Sequence, residues 1–520
     1  EQTDATLALA GEMVDVSWVH KDGSNRSNTH VVPNYNDCKR CHKNDEFEPI
    51  GLRARHLNRD FEYLHGVNNQ LAHWSQLGIL SGAPSPDAAP RLPDWDDEST
   101  GSVEERARAW LEVNCAHCHN PRGPAQNSGL YLWANVTDPY QYGVYKTPVA
   151  AGRGAAGRKY DIVPGKPDES ILQHRIESTE AGILMPEFGR TLVHEEGVAL
   201  IRQWIAEMQP PSDLDVENAI GEFTALSQEQ LAEFIGDVNK LGDAARGEEV
   251  FHRKRLNCLK CHSVSGIGGN VGPDLGETRP EKTIEYLVES ILLPSKEIRK
   301  GFETTTVTTA DGQVISGIKI QESDSEIVLR DLTRDEIRIA REDIEDAVPG
   351  ISLMPSNVVA LTSRQDFLDL VRFLAQLGKP GPFLQGKDHF IREWEVLDPM
   401  PSHAATADPD QLVAGFTSAS LIWEPAYSRV HGGLPFSALP PAPNTSRRYV
   451  RFRIEAAEPK KVSLGVNSTA GLKMWLDSSP FAIQENNVLE LTTGNHTITF
   501  MVDLDQQAAD TLYCEVSDID

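Results

Sequence analysis

Methionine and cysteine are scarce in this chain, seven of each among 520 residues. Long apolar runs are missing. No stretch approaches the ~20 apolar residues a membrane-crossing helix needs, so no membrane span is expected. Basic residues are in deficit too: 49 Lys and Arg face 77 Asp and Glu, a formal charge of −28. That balance argues against nucleic acid and anionic membranes as partners and suits a basic protein or a small carrier. The plainer alternative is that the charge only keeps a soluble protein dispersed. No signal peptide is visible, and a mature exported chain would have lost one.

Six of the seven cysteines fall into three Cys-x-x-Cys-His motifs: Cys38, Cys41 and His42; Cys115, Cys118 and His119; Cys258, Cys261 and His262. At this spacing two thiols bond covalently to a haem and the adjacent histidine is held against the iron. Zinc is the main alternative, but zinc sites take four tetrahedral ligands, often from paired Cys-x-x-Cys motifs close together. A redox disulfide is the other. Three covalently attached c-type haems are therefore expected, their propionates adding to the negative charge. Cys514, in "TLYCEV", is left over as a small buried hydrophobe.

The surroundings of the second and third motifs repeat. Ser102 and Glu105 form a capping box, and Val103, Ala107, Trp110 and Leu111 share a helical face leading into the second motif. A Gly/Pro-rich loop follows, then "LMP" with Met185, then a helix bearing Val198, Ile201, Trp204 and Ile205. The third motif has the same order: helix, motif, the loop "GIGGNVGPDLG", "LMP" with Met354, and a closing helix capped by Ser363. That helix carries Phe367, Leu370, Val371, Leu374 and Leu377 and stops at Gly378. An alternating, β-branched segment broken by the turn signal "ADGQ" lies before Met354 and predicts a small β-barrel. From 384 the chain turns to short alternating runs, read as a β-sandwich.

These signals predict a multidomain α+β protein with three mainly α, cytochrome c-like haem units, an inserted barrel and a terminal sandwich. The expected boundaries are 1–98, 99–213, 214–383 with the barrel at about 301–350, and 384–520.

Methionine sulfur is a soft ligand suited to haem iron, and the matched contexts of Met185 and Met354 make them the sixth ligands of the second and third haems. The carbonyl of Pro273 is placed to accept from the ring N–H of His262, and Pro124 to serve His119 likewise. His117 reads as exposed rather than ligating. The first haem has no methionine between His42 and the second motif. His56 is its first candidate, with His65, His73, His20, His30 and Met13 as others. A five-coordinate iron, or a ligand from outside the chain, remain open.

The stretches "HVVPNYNDCKRCH", "PIGLRARHLNRDF", "NQLAHWSQLGIL" and "LEVNCAHCHNPRGPAQNSGLYL" resemble the diheme c-type cytochromes of many marine bacteria, over roughly residues 1–210. From about 240 to 380, "GEEVFHRKRLNCLKCHSVSGIGGNVGPDLG" through "SLMPSN" is similar to a haem-binding domain of planctomycete and verrucomicrobial type, often fused to or encoded beside sugar dehydrogenase-like propellers. The resemblance implies electron transfer in an exported protein and supports Met185 and Met354 as ligands. It also implies that this chain begins inside a β-rich region the diheme relatives carry in full.

The expected function is outer-sphere electron transfer in the periplasm or at the cell surface, with a dehydrogenase or another cytochrome as redox partner. Two alternatives stand beside it. One is a peroxidase-like enzyme using an open first haem. The other is an electron-accepting subunit whose C-terminal module docks a polysaccharide or protein. Trp423, Trp475 and Tyr427 are candidate stacking residues there, or ordinary core aromatics. No constellation of catalytic carboxylates or nucleophiles is present.

Overall fold

A computed structural model describes residues 8–519 except 21, 43–48, 122, 149–151, 188, 212–213, 215–217, 254, 257, 279–281, 310–313, 333, 387, 402–406, 417–420 and 443–444. The chain forms two compact units, Glu1–Pro211 and Ser212–Asp520.

The first unit opens with an antiparallel hairpin, Glu12–Val19 against Asn25–Val32, in register at Val16 and Asn28. Nearly all of it is exposed. The helix Tyr35–His42 carries the first motif. A second small hairpin, Asp60–Tyr63 with Gly66–Asn69, and the short helices Ala54–Leu57 and Gln70–Gln76 enclose a minor cluster of Leu57, Leu71 and Ala89. The main core of this unit lies further on. The helix Val103–Cys115 starts at the Ser102–Glu105 capping box and buries Ala107, Trp110 and Leu111. It packs against the helix Glu195–Glu207, which contributes Val198, Ile201, Trp204 and Ile205. Both stripes follow the 3.6-residue repeat, so one face of each helix leaves water.

In the second unit the helices Gln228–Leu241, Ala244–Phe251, Ile284–Leu292 and Arg364–Gln376 share one core, centred on Phe234, Val238, Phe251, Val288, Phe367 and Phe373. The Ser363 hydroxyl caps the last helix by accepting from the Asp366 amide. Asp369 faces inward from it, but its charge is met by the Asp243 amide and the Arg246 guanidinium. Gly378 ends the helix at φ 79°, and a Cβ there would lie 2.0 Å from the Gly276 carbonyl oxygen, so only glycine fits.

The segment before Met354 is a five-stranded antiparallel sheet. Its hydrogen-bonded order is Ile337–Ala340, Glu326–Arg330, Val314–Glu322, Thr304–Thr309, Ile344–Pro349. One face buries Val307, Ile327, Leu329, Ile337 and Ile339. No strand pairing joins its two edges among the described residues, so the sheet is open where a closed barrel was expected. The turn "ADGQ" lies outside the described residues.

Among the described residues, the C-terminal region contains a six-stranded and a three-stranded antiparallel sheet, with a two-stranded one formed by Leu434–Pro435 and Thr511–Leu512. Val450, Phe452, Ile498 and Phe500 from the first share a core with Val462, Leu464, Leu489 and Cys514 from the second.

The expected three mainly α cytochrome-like units are not what the chain forms. Helix and strand occur in nearly equal measure, in a mixed α/β fold. The region of the first motif has two β-hairpins beside short helices, and the third motif runs straight into the hairpin Ser263–Val264/Ile267–Gly268. The physical reason is that an attachment motif and a capped amphipathic helix are local signals. They do not specify what the segments between them form, and here those segments pair as hairpins and sheets. Among the described residues, no helix is long and apolar enough to cross a membrane.

Candidate functional site

The third motif has the most complete surroundings. The short helix Cys258–Cys261 presents it, and His262 follows at once. The ring Nδ1 of His262 lies 2.9 Å from the Pro273 carbonyl oxygen. A carbonyl can only accept, so Nδ1 carries the proton and Nε2 keeps its lone pair. The loop comes this close because residue 272 is glycine: a Cβ there would lie 2.7 Å from Nδ1 and Cε1 of the ring. Burial lowers the pKa of His262, outweighing the opposing Pro273 bond, and keeps the ring neutral. Met354 packs against the same core as Cys258, Leu259, Val264 and Leu275. An attached imidazole with one free nitrogen, a thioether in the same cluster and an apolar wall together fit a haem.

The second motif sits where the helix Val103–Cys115 ends. His119 is likewise held neutral: burial, then the charge of Arg175, bring its pKa down to about 4. The Ser128 hydroxyl is 3.4 Å from its Nδ1, and the loop at Leu130 also bonds it. Ser128 and Leu130 thus stand where Pro124 was expected. Burial raises the Cys115 thiol to about 12 against the opposing charge of Arg190. Arg190 donates to the carbonyls of Ile176, Arg175 and Ser178, and the Met185 amide donates to Arg175 O at 3.1 Å. The loop bearing Met185 is thereby tied to the helix Ile171–Glu177, whose Arg175 acts on His119, and it places Arg190 beside Cys115. The buried, neutral imidazole and the paired sulfurs of this motif are the donor set that a c-type haem takes.

For the first motif the sixth position is less served. His56 Nε2 is 2.7 Å from the Glu112 carboxylate, which also bonds Arg55 and accepts from the Ala134 amide at 2.9 Å. This nitrogen is therefore already engaged. His20 lies 3.2 Å from Glu196, and the His73 ring lies over Tyr63 at 3.8 Å. His30 and His65 are exposed, and Met13 is 73% exposed on the hairpin.

The first two motifs meet. Cys41 Sγ and Cys118 Sγ are 3.9 Å apart, and one ring nitrogen of His117 lies within 4.8 Å of both sulfurs. His117 is half-buried here rather than exposed. Hydrogen bonds from Cys118 and then His117 pull the Cys41 thiol down to about 4, while the Cys118 thiol is pushed up by the same Cys41 contact and by burial. No disulfide joins any of the seven cysteines. One feature of the sequence hinted at this cluster: His117 stands between the two cysteines of the second motif.

Of the C-terminal aromatics, Trp475 is a core residue, 1% exposed, whose Nε1 donates to Asp410. Trp423 is covered on one face by the Arg451 guanidinium at 3.8 Å, and burial raises Tyr427 to about 12. Cys514 is fully buried in the sandwich core.

No protein-family model matches the chain, and no curated protein matches it. Among solved structures, a β-glucosidase from Kluyveromyces marxianus in complex with glucose is similar over 25% of this chain and 16% of its own, at 8% identity and a TM-score of 0.17. A partial likeness at that score carries no argument about function.

Proposed function

We propose that this chain is a three-haem, c-type electron-transfer protein that works outside the cytoplasm. The observation that carries this is the third motif: three Cys-x-x-Cys-His patterns mark attachment, and at His262 the ring is already fixed by Pro273 with Nε2 free. A bound haem supplies one-electron cycling of its iron. The chain does the rest. Cys38, Cys41, Cys115, Cys118, Cys258 and Cys261 anchor, and His42, His119 and His262 ligate. Met185 and Met354 would offer the iron thioether sulfurs, which raise the potential relative to harder ligands. A dehydrogenase or another cytochrome supplies or removes the electrons, and the acidic surface favours a basic docking face on that partner.

The test is the intact mass of the protein from an exporting, haem-ligating host. A gain of three haems supports the proposal, and the bare polypeptide mass refutes it.

A second reading is favoured by one observation, the Cys41–His117–Cys118 cluster. Two sulfurs and an imidazole at these separations also suit a soft divalent metal such as zinc. The two readings exclude each other, because a thioether sulfur cannot serve as a thiolate ligand. Metal analysis alongside the mass separates them.

A further inference from the structure

We infer that Cys41 and Cys118 bring the first two haem sites into one contact, so that the two haems behave as a coupled pair rather than as separate carriers. This rests on the haem reading above. Of the attachment sulfurs, these two come from different motifs, 77 residues apart in sequence, and lie 3.9 Å apart. That is close to contact distance for sulfur. Each thiol adds across one vinyl group: the S–H bond breaks, sulfur bonds to the inner carbon and the hydrogen goes to the outer carbon. No electrons enter or leave, so no external oxidant is needed. Thioether sulfurs carry no proton and still fit side by side at this separation. The carbons they hold can then be no farther apart than 3.9 Å plus two carbon–sulfur bonds.

Two consequences follow. The charge left by oxidising one iron disfavours oxidation of the other, so the pair titrates in two macroscopic steps that belong to both centres. An electron entering at one site would be shared with the other, and a ring nitrogen of His117 lies within 4.8 Å of both sulfurs.

The experiment uses the full holoprotein and two readouts. In the fully oxidised protein, the electron paramagnetic resonance signal of isolated ferric haem should account for no more than one haem of the three. In the reduced protein, circular dichroism in the main haem band should show a two-signed couplet. In Cys38→Ala/Cys41→Ala, which loses one haem by mass, the isolated-haem signal should rise and the couplet vanish. Three haems by mass with three haems' worth of isolated signal and no couplet would overturn the pairing while leaving the electron-transfer reading intact. A protein with no haem mass would overturn the reading, and the pairing with it. If the double variant fails to fold, the two wild-type measurements decide alone.

Discussion

His262 donates from Nδ1 to the carbonyl oxygen of Pro273 across 2.9 Å, and Gly272 leaves just enough room for that approach. Buried ligating histidines need such a partner, because it fixes both tautomer and ring direction. Gly272→Ala places a methyl against the ring. The expected result is a weaker iron–histidine bond at the third site. The measurement is carbon monoxide competition for the reduced haem, with about a ten- to hundredfold change. Unchanged competition at all three sites would contradict the assignment.

Met354→Ala and Met185→Ala should each convert one ferric haem from low to high spin. The affected centre's potential should fall within the roughly 0.8 V that axial ligands span. The visible spectrum and a redox titration read both effects. A fully low-spin protein after either change would remove that methionine from the ligand set.

His56→Ala separates the two roles open to that residue. If Glu112 is its partner, as the 2.7 Å contact indicates, the spectrum of the first haem stays the same and only stability drops. A spin-state change confined to one haem would restore His56 as a ligand.

Glu112 is buried between Arg55, His56 and the Ala134 amide. Burial pushes its carboxyl up, but His56, Arg55 and Ala134 together outweigh that and hold it below the usual range. A depressed acid stabilises the fold above its unfolded pKa, near ~4.3, and that stability is lost as pH falls through the lower folded value. Glu112→Ala leaves the Arg55 guanidinium without its anion, and His56 and the Ala134 amide without their acceptor. A loss of about 3–5 kcal/mol at neutral pH, read by urea unfolding, is expected, shrinking at acid pH.

Asp161 runs the other way. Burial raises it to about 6, only partly offset by Lys146 and Arg175. Its charge therefore costs stability above that pH, and the cost disappears as pH falls below the ordinary Asp value. Asp161→Asn should stabilise the protein by up to about 3 kcal/mol at pH 7 and by little at pH 4. Equal effects at both would show that the side chain's shape, not its charge, matters.

What could be seen in the sequence was local. Ser102 with Glu105, and Ser363 before its apolar stripe, announce their helices within four residues of chain. The Pro273 partnership was visible for the same reason, since Pro273 lies only eleven positions after His262. The Cys41–Cys118 contact joins segments 77 residues apart, and no periodicity encodes it. Glu112 lay hidden because a carboxylate on a helix face reads as solvated until its partners, Arg55, His56 and the Ala134 amide, arrive from elsewhere in the chain. Alternation revealed the strands of the inserted sheet but not whether its edges meet, because closure depends on twist and register between strands distant in sequence.

The inserted sheet begins and ends at one point. The Gly350 amide donates to the Thr304 carbonyl at 2.9 Å, and the Thr304 hydroxyl to the Ile351 carbonyl at 2.6 Å. Some fifty residues therefore leave the chain and return to it through a single doorway, three positions ahead of Met354. The sheet also reaches back to the loop ahead of Pro273, where the Asn270 amide donates to the Asp335 carboxylate at 3.0 Å, so its length and placement bear on that loop as well as on the segment carrying Met354.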